Sequence, residues 1–356
     1  AGSTRRGRPR AVAMPTPLNQ LEQLASMTTL SIDTGDLDVI AEWAATGLVT
    51  DATTNPLFVS QAGLSGDERY VAFVDRAIAY AKSNAAGEKE QLELAMDRLA
   101  VELGLEIVKL VPGYVSTEVD IRASFDTAES LRRARRIIAM YEAEGVPRSR
   151  VLVKLAGTWE GIAAARELEK EGITCNITLI FGFIQAVAAA QAGARLISPF
   201  PGRIKDWHSA NGGEPTYEPA ADPGVVAVKR MHGYYKKYGH EGTICMPASW
   251  RPSRGASDPA FAADEIVALA GADRMTIPPP LLSALSAAQG PLERCIEPAE
   301  VAAACEDAEM SGGSIGESEF RMALNADVCA TTKMAEGINA FVTETLKLEA
   351  ALRTKM

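Results

Sequence analysis

Val151-Leu152-Val153-Lys154-Leu155, followed at once by Ala156-Gly157-Thr158-Trp159-Glu160-Gly161, is an apolar, β-branched run that ends in a turn. It reads as a short buried strand, and a helical pattern follows it over residues 161–171. The same strand–turn–helix unit recurs along the chain. Further strand runs lie at 28–33, 49–54, 114–119, 175–179, 196–199, 243–247 and 274–277. Helical patterns lie between them at 67–84, 90–103, 127–144, 184–192, 224–238 and 259–269. About eight such units in roughly 250 residues predict an α/β fold, a (β/α)8 TIM barrel. A doubly wound open sheet is the alternative, but no G-x-G-x-x-G follows any strand. Beyond Leu282 the strands stop, and additional C-terminal helices are expected. Met334, Ile338, Phe341 and Val342 share one face there, predicting a helix packed across the outside of the barrel.

The lysine inside the opening run is the first chemical clue. A lone ammonium in a low-dielectric strand costs several kcal/mol unless it is paired or neutralised, and a neutral lysine is a nucleophile suited to Schiff-base chemistry with a carbonyl. Taken alone, Lys154 fits a strand-mouth lysine reaching solvent, or one paired with an acid, just as well. Glu106-Ile107-Val108-Lys109-Leu110 looks much the same, but it would add a ninth unit and it runs into Val111-Pro112-Gly113. It is read as a loop feeding the strand at 114, and both lysines stay candidates.

Composition narrows the partners. The chain has 356 residues, 47% hydrophobic and 23% charged, with a net charge of −10. That balance argues against general nucleic-acid binding, while two arginines can still make a local phosphate site. No apolar run approaches the roughly 18 residues of a membrane span. The five cysteines (Cys175, Cys245, Cys295, Cys305, Cys329) form no C-x-x-C pair, and His208, His232 and His240 have no metal-ligand spacing. Residues 1–14 contain four arginines and no acid. This segment is read as a disordered transit-peptide remnant, with a cloning scar or plain basic tail as the alternative. A single barrel domain is expected over 15–356, in a plastid, with the cytosol as the alternative location. Ser311-Gly312-Gly313-Ser314 reads as a flexible connection.

A barrel places its active site at the C-terminal ends of its strands. Those ends deliver Asp33, then Asn55, Glu118, Lys154, then Asn176 with Thr178, Ser198 with Phe200 and Arg203, Ser249 with Arg251, and Thr276. One amine, two carboxylates, small polar groups and two arginines are the inventory of a Schiff-base aldol enzyme acting on a sugar phosphate. Each also fits an ordinary structural role. Asp33 or Asp36 could cap the next helix, Asn55 before Pro56 could be a turn residue, and Glu118 could pair with Arg122 on the surface.

The motifs Asp33-Thr34-Gly35-Asp36, Asp51-Ala52-Thr53-Thr54-Asn55-Pro56, Ser116-Thr117-Glu118-Val119-Asp120, Lys154-Leu155-Ala156-Gly157-Thr158-Trp159-Glu160-Gly161-Ile162, Cys175-Asn176-Ile177-Thr178-Leu179, Ile197-Ser198-Pro199-Phe200 and Gly202-Arg203-Ile204 stand in one order. Together with Glu317-Ser318-Glu319-Phe320 and Ala335-Glu336-Gly337-Ile338, they resemble the transaldolase family from about Leu30 to the C-terminal helix. The resemblance implies a transferase that moves a dihydroxyacetone unit from sedoheptulose 7-phosphate or fructose 6-phosphate to an aldose phosphate. This is a step of the non-oxidative pentose phosphate pathway. It implies Lys154 as the Schiff-base lysine, which sets aside Lys109, and Asp33 as the base at the C4 hydroxyl. Glu118 would act through a water held by Thr178. Asn55, Asn176 and Ser198 would hold substrate, Phe200 would shield the imine, and Arg203, Ser249 and Arg251 would bind phosphate. No metal or organic cofactor is implied, and the protein would be a monomer or homodimer. A fructose-6-phosphate aldolase that releases dihydroxyacetone, or a catalytically silent phosphosugar-binding barrel, are the alternatives. The chain departs from the family pattern at Leu57, Gly157 and Gly182 where serines are usual, at Pro247 for glycine, and at Trp250 for phenylalanine.

Overall fold

In the computed structural model, residues 18–310 and 314–356 are described. The basic segment 1–14 and most of the Ser311–Ser314 connection lie outside them. Eight parallel strands are present among the described residues: β1 (Thr29–Asp33), β2 (Val49–Thr53), β3 (Val115–Glu118), β4 (Val151–Ala156), β5 (Cys175–Ile180), β6 (Leu196–Pro199), β7 (Ile244–Cys245) and β8 (Arg274–Ile277). Their order is β7-β6-β5-β4-β3-β2-β1-β8. Between β8 and β7 the ring is bridged by a backbone hydrogen bond from Thr276 N to Pro247 O at 3.2 Å. Helices follow the strands, as expected for the (β/α)8 TIM barrel. Strand β7 is shorter than the predicted 243–247, because Pro247 has no N–H to donate to a ladder.

Strands β4 and β5 are buried at all six positions, as parallel strands covered on both faces must be. Alternate residues divide the work. Leu152, Leu196 and Met246 form a small apolar cluster of their own, against Tyr114 and Ile244. Leu152 and Lys154 share one face of β4, so the lysine stands one layer above this plug. The large core fills the space between strands and outer helices. Among the described residues no helix is long and apolar enough to cross a membrane.

Three expectations are corrected. Glu106–Leu110 is not a loop; it is the end of a helix spanning Glu88–Leu110. The C-terminal helix, Val328–Lys355, does bury Met334, Ile338 and Phe341, but Val342 is only half-buried. It crosses the barrel's mouth rather than its outside: a Cβ on Gly337 would sit 2.7 Å from Leu179 Cδ2 and 3.5 Å from an Arg203 guanidinium nitrogen. The predicted helix 259–269 is also broken, into a short turn at Pro259–Phe261 and a helix at Asp264–Ala268.

Candidate active site

Strand register brings the central groups level. Glu118 lies beside Lys154, and Lys154 beside Asn176. Lys154 Nζ is 3.1 Å from Glu118 Oε2, with both side chains buried, and it donates to Thr54 O at 3.3 Å. The cost of burying the ammonium is thus met by an ion pair. That pair is poorly aligned as a hydrogen bond, and both Glu118 carboxylate oxygens lack a hydrogen-bond partner. Burial raises the Glu118 carboxyl above its usual range, and the Lys154 charge opposes the rise. The alternative surface pairing with Arg122 does not form. Arg122 instead grips Asp120 at 2.7 Å and Glu349 of the C-terminal helix at 2.5 Å.

A chain of small polar groups continues around the ring. Ser198 Oγ is 2.9 Å from Asn176 Oδ1, and Asn176 Nδ2 donates to Ser116 Oγ at 3.2 Å. The Thr178 hydroxyl is buried and has no partner, so it is free to hold a water or substrate oxygen. Asn55 caps the Pro56–Leu64 helix by accepting from Phe58 N at 3.2 Å, which leaves its amide N–H2 to donate elsewhere. Asn55 and Glu118 also line a cavity of about 40 Å³ beneath Thr345 and Leu348 of the C-terminal helix, enough for water.

Asp33 ends β1, and capping is left to Asp36, which accepts from Asp38 N and Val39 N. Burial pushes the Asp33 carboxyl up to about 6, against the pull of Lys154 and Arg203. Across the mouth, Arg203 Nε donates to Ser249 Oγ at 3.3 Å and its guanidinium lies 5.1 Å from the centre of the Phe200 ring. Phe200 stands edge-on to Phe181 at 5.6 Å. Burial, then the neighbouring Arg251 charge, lowers the Arg203 guanidinium's affinity for its proton. An entering dianion would relieve that repulsion. Arg251 is half-buried and leans on Asp206 at 3.0 Å.

The structure therefore gathers the sequence-derived candidates at one end of the barrel, with Arg251 partly engaged by Asp206. Lys109 is elsewhere, exposed at a helix end and 2.8 Å from Glu106. One residue that sequence patterns did not single out is Gln185. Fully buried, its side chain accepts from Phe181 N and Gly182 N and donates to Gly157 O and Leu179 O, all at 2.8–3.0 Å. It ties the exits of β4 and β5 together, beside Leu179 in the left-handed region at φ 57°. A glutamine three residues into a helix was the available signal, since that position reaches back to orphan N–H groups. Two departures from the family pattern also gain a physical reason. A Cβ on Gly157 would fall 2.7 Å from Ile180 Cδ1, and one on Gly182 would fall 2.9 Å from Ala330 Cβ.

The family model for transaldolase/fructose-6-phosphate aldolase matches residues 30–352. The chain belongs to this family. It is 47% identical over 335 residues to a transaldolase of Marinobacter nauticus, covering 94% of this chain and 98% of the relative. It is 48% identical over 340 residues to one from Cellvibrio japonicus, covering 95% and 99%. A third transaldolase, from Methylobacillus flagellatus, is 46% identical with 95% and 99% covered. These transaldolases come from bacteria, which have no plastids, so the expected plastid location is set aside. Four arginines without an acid are a compositional signal only, and they do not distinguish a transit peptide from a plain basic tail.

Proposed function

We propose that this chain is a transferase that moves a dihydroxyacetone unit between sugar phosphates through a lysine Schiff base, in the non-oxidative pentose phosphate pathway. The observation that carries this reading is the buried Lys154–Glu118 pair, 3.1 Å apart, with the unpartnered Thr178 hydroxyl nearby in the register. Lys154 attacks the ketose C2 carbonyl, and loss of water gives a protonated imine. Glu118, through a water held at Thr178, supplies and removes the protons of that step and of its reversal. Asp33 takes the proton from the C4 hydroxyl as the C3–C4 bond breaks, and the electron pair passes into the imine. At about 6, Asp33 is mostly ionised at neutral pH yet remains a useful acid for the return step.

Asn55, Asn176 and Ser198 hold the three-carbon fragment, and Arg203, Ser249 and Arg251 take the phosphate. Phe200 covers the imine and carries no hydroxyl to protonate the carbanion, which favours transfer over release. The test is a rate comparison. With fructose 6-phosphate and erythrose 4-phosphate together, sedoheptulose 7-phosphate should form, while fructose 6-phosphate alone should give little free dihydroxyacetone. Equal dihydroxyacetone release with and without acceptor would mark an aldolase. No product in either case would mark a silent sugar-phosphate binder.

A further inference from the structure

Ser249 and Arg251 reach the mouth from a strained segment. Ser249 sits at φ 62°, a left-handed conformation that is strained for a non-glycine residue. Such a bend persists only where its surroundings hold it. Behind the segment, Gly202 passes so close that a Cβ there would fall 2.4 Å from Ser249 O and 2.8 Å from Arg251 N. Beside it, the Trp250 indole N–H donates to Thr276 O at 2.8 Å. Beneath it, the backbone N–H of Arg251 donates to Glu265 Oε2 at 2.6 Å.

Glu265 has no exposed surface. It lies on the short Asp264–Ala268 helix, and its second oxygen, Oε1, has no partner. A solvent-free carboxyl is an expensive way to hold one N–H, and packing alone would be served better by leucine or methionine. Burial raises this carboxyl well above its usual range, and nearby Asp222 adds to the rise against the pull of Arg251 and Lys205.

We propose that Glu265 is a positioning residue for substrate phosphate: by anchoring Arg251 N–H, it keeps the Ser249–Arg251 bend that turns the Ser249 hydroxyl and the Arg251 guanidinium toward the same anion. This rests on the reading of Arg203, Ser249 and Arg251 as phosphate ligands. Glu265 touches no substrate; it acts through Arg251, and it therefore governs selectivity for phosphorylated sugars rather than the carbon–carbon chemistry.

The test compares E265Q, E265D, E265M and R251A in the full chain. The readouts are competitive inhibition by inorganic phosphate and steady-state transfer to glyceraldehyde 3-phosphate or to unphosphorylated glyceraldehyde. E265M removes the acceptor and should raise both the phosphate inhibition constant and KM for the phosphorylated acceptor about tenfold. Its kcat, and its kcat/KM for glyceraldehyde, should stay within about twofold of the parent. E265Q keeps an acceptor oxygen and should restore the parent phosphate affinity, while E265D, one methylene short, should fall between. If E265M does not fold, E265D decides. An unchanged phosphate inhibition constant in the folded acceptor-altering variants overturns the proposal, as does an equal loss of kcat/KM for the two acceptors. R251A separates the two readings: if it leaves phosphate inhibition unchanged, the phosphate site itself has been misplaced.

Discussion

Lys154 and Lys109 occupy five-residue runs of nearly the same pattern, and the molecule treats them in opposite ways. Val151–Ala156 is a strand buried at every position. Its lysine points to the inner layer of the barrel and meets Glu118 from the neighbouring strand. Glu106-Ile107-Val108-Lys109-Leu110 closes a helix of 23 residues. There Ile107 is buried, while Lys109 is exposed and bridges back to Glu106 one turn earlier. A local apolar run is compatible with either element; what differs is the company. The helix enters this run from some twenty residues rich in Glu, Leu and Ala, all good helix formers. The strand is preceded by Pro147 and a short turn at Arg148–Arg150, and followed by Gly157 and the helix cap Thr158. The same residue type is an ordinary surface charge in one setting and a paired, enclosed amine in the other.

The sharpest way to break this contrast is to remove each lysine. Lys154→Ala should abolish turnover, whereas Lys109→Ala should leave kcat and KM at the parent values; loss of activity in the second variant would reverse the assignment. Exchanging their partners sharpens it further. Glu118→Gln should slow imine formation by about 10²–10⁴-fold, measured as the rate of adduct accumulation. Glu106→Gln should not change that rate, and should alter stability by less than about 0.5 kcal/mol.

Asp33 adds a test in pH. Asp33→Ala should still accumulate the ketose adduct while cleavage falls by about 10²–10⁴-fold, and normal turnover would refute its role. In the parent protein, kcat/KM should decline as pH drops below about 6 and this carboxylate is protonated. Stability runs the other way. A folded value of about 6 against 3.8 for the free group means that the ionised form is disfavoured in the native state. Asp33's contribution is therefore full below about pH 4 and lost as pH rises through 6. Asp33→Asn should accordingly unfold later than the parent at pH 7, by about 1–3 kcal/mol, with the difference vanishing near pH 3. The smallest effect is expected at the C-terminal helix. Glu349→Gln loosens its link to Arg122 and should cost about 1 kcal/mol or less in denaturant titration.

Much of the barrel was legible because short, continuous apolar β-branched runs and their turns are local signals. Residues 196–199 and 274–277 coincide with β6 and β8, and most other strand limits agree within a residue. The misread pieces have local causes: a helix end that mimics a strand, and a proline that stops β7 early. Which groups occupy strand ends could be read once the barrel was assumed. Their partners could not. Glu118 turns to Lys154 rather than Arg122 because strand pairing, invisible in the linear sequence, sets them side by side. Gln185 and Glu265 were missed for the same reason, since each acts on backbone groups of another loop. The C-terminal helix displayed its apolar face, but only the folded barrel shows that this face covers the mouth.

The contrast between the two lysines comes down to one chemical event. Incubation with fructose 6-phosphate, reduction with borohydride and peptide mass mapping should find the reduced adduct on Lys154 and none on Lys109. An adduct on Lys109, or no adduct on either lysine, would contradict the assignment of the enclosed amine as the nucleophile.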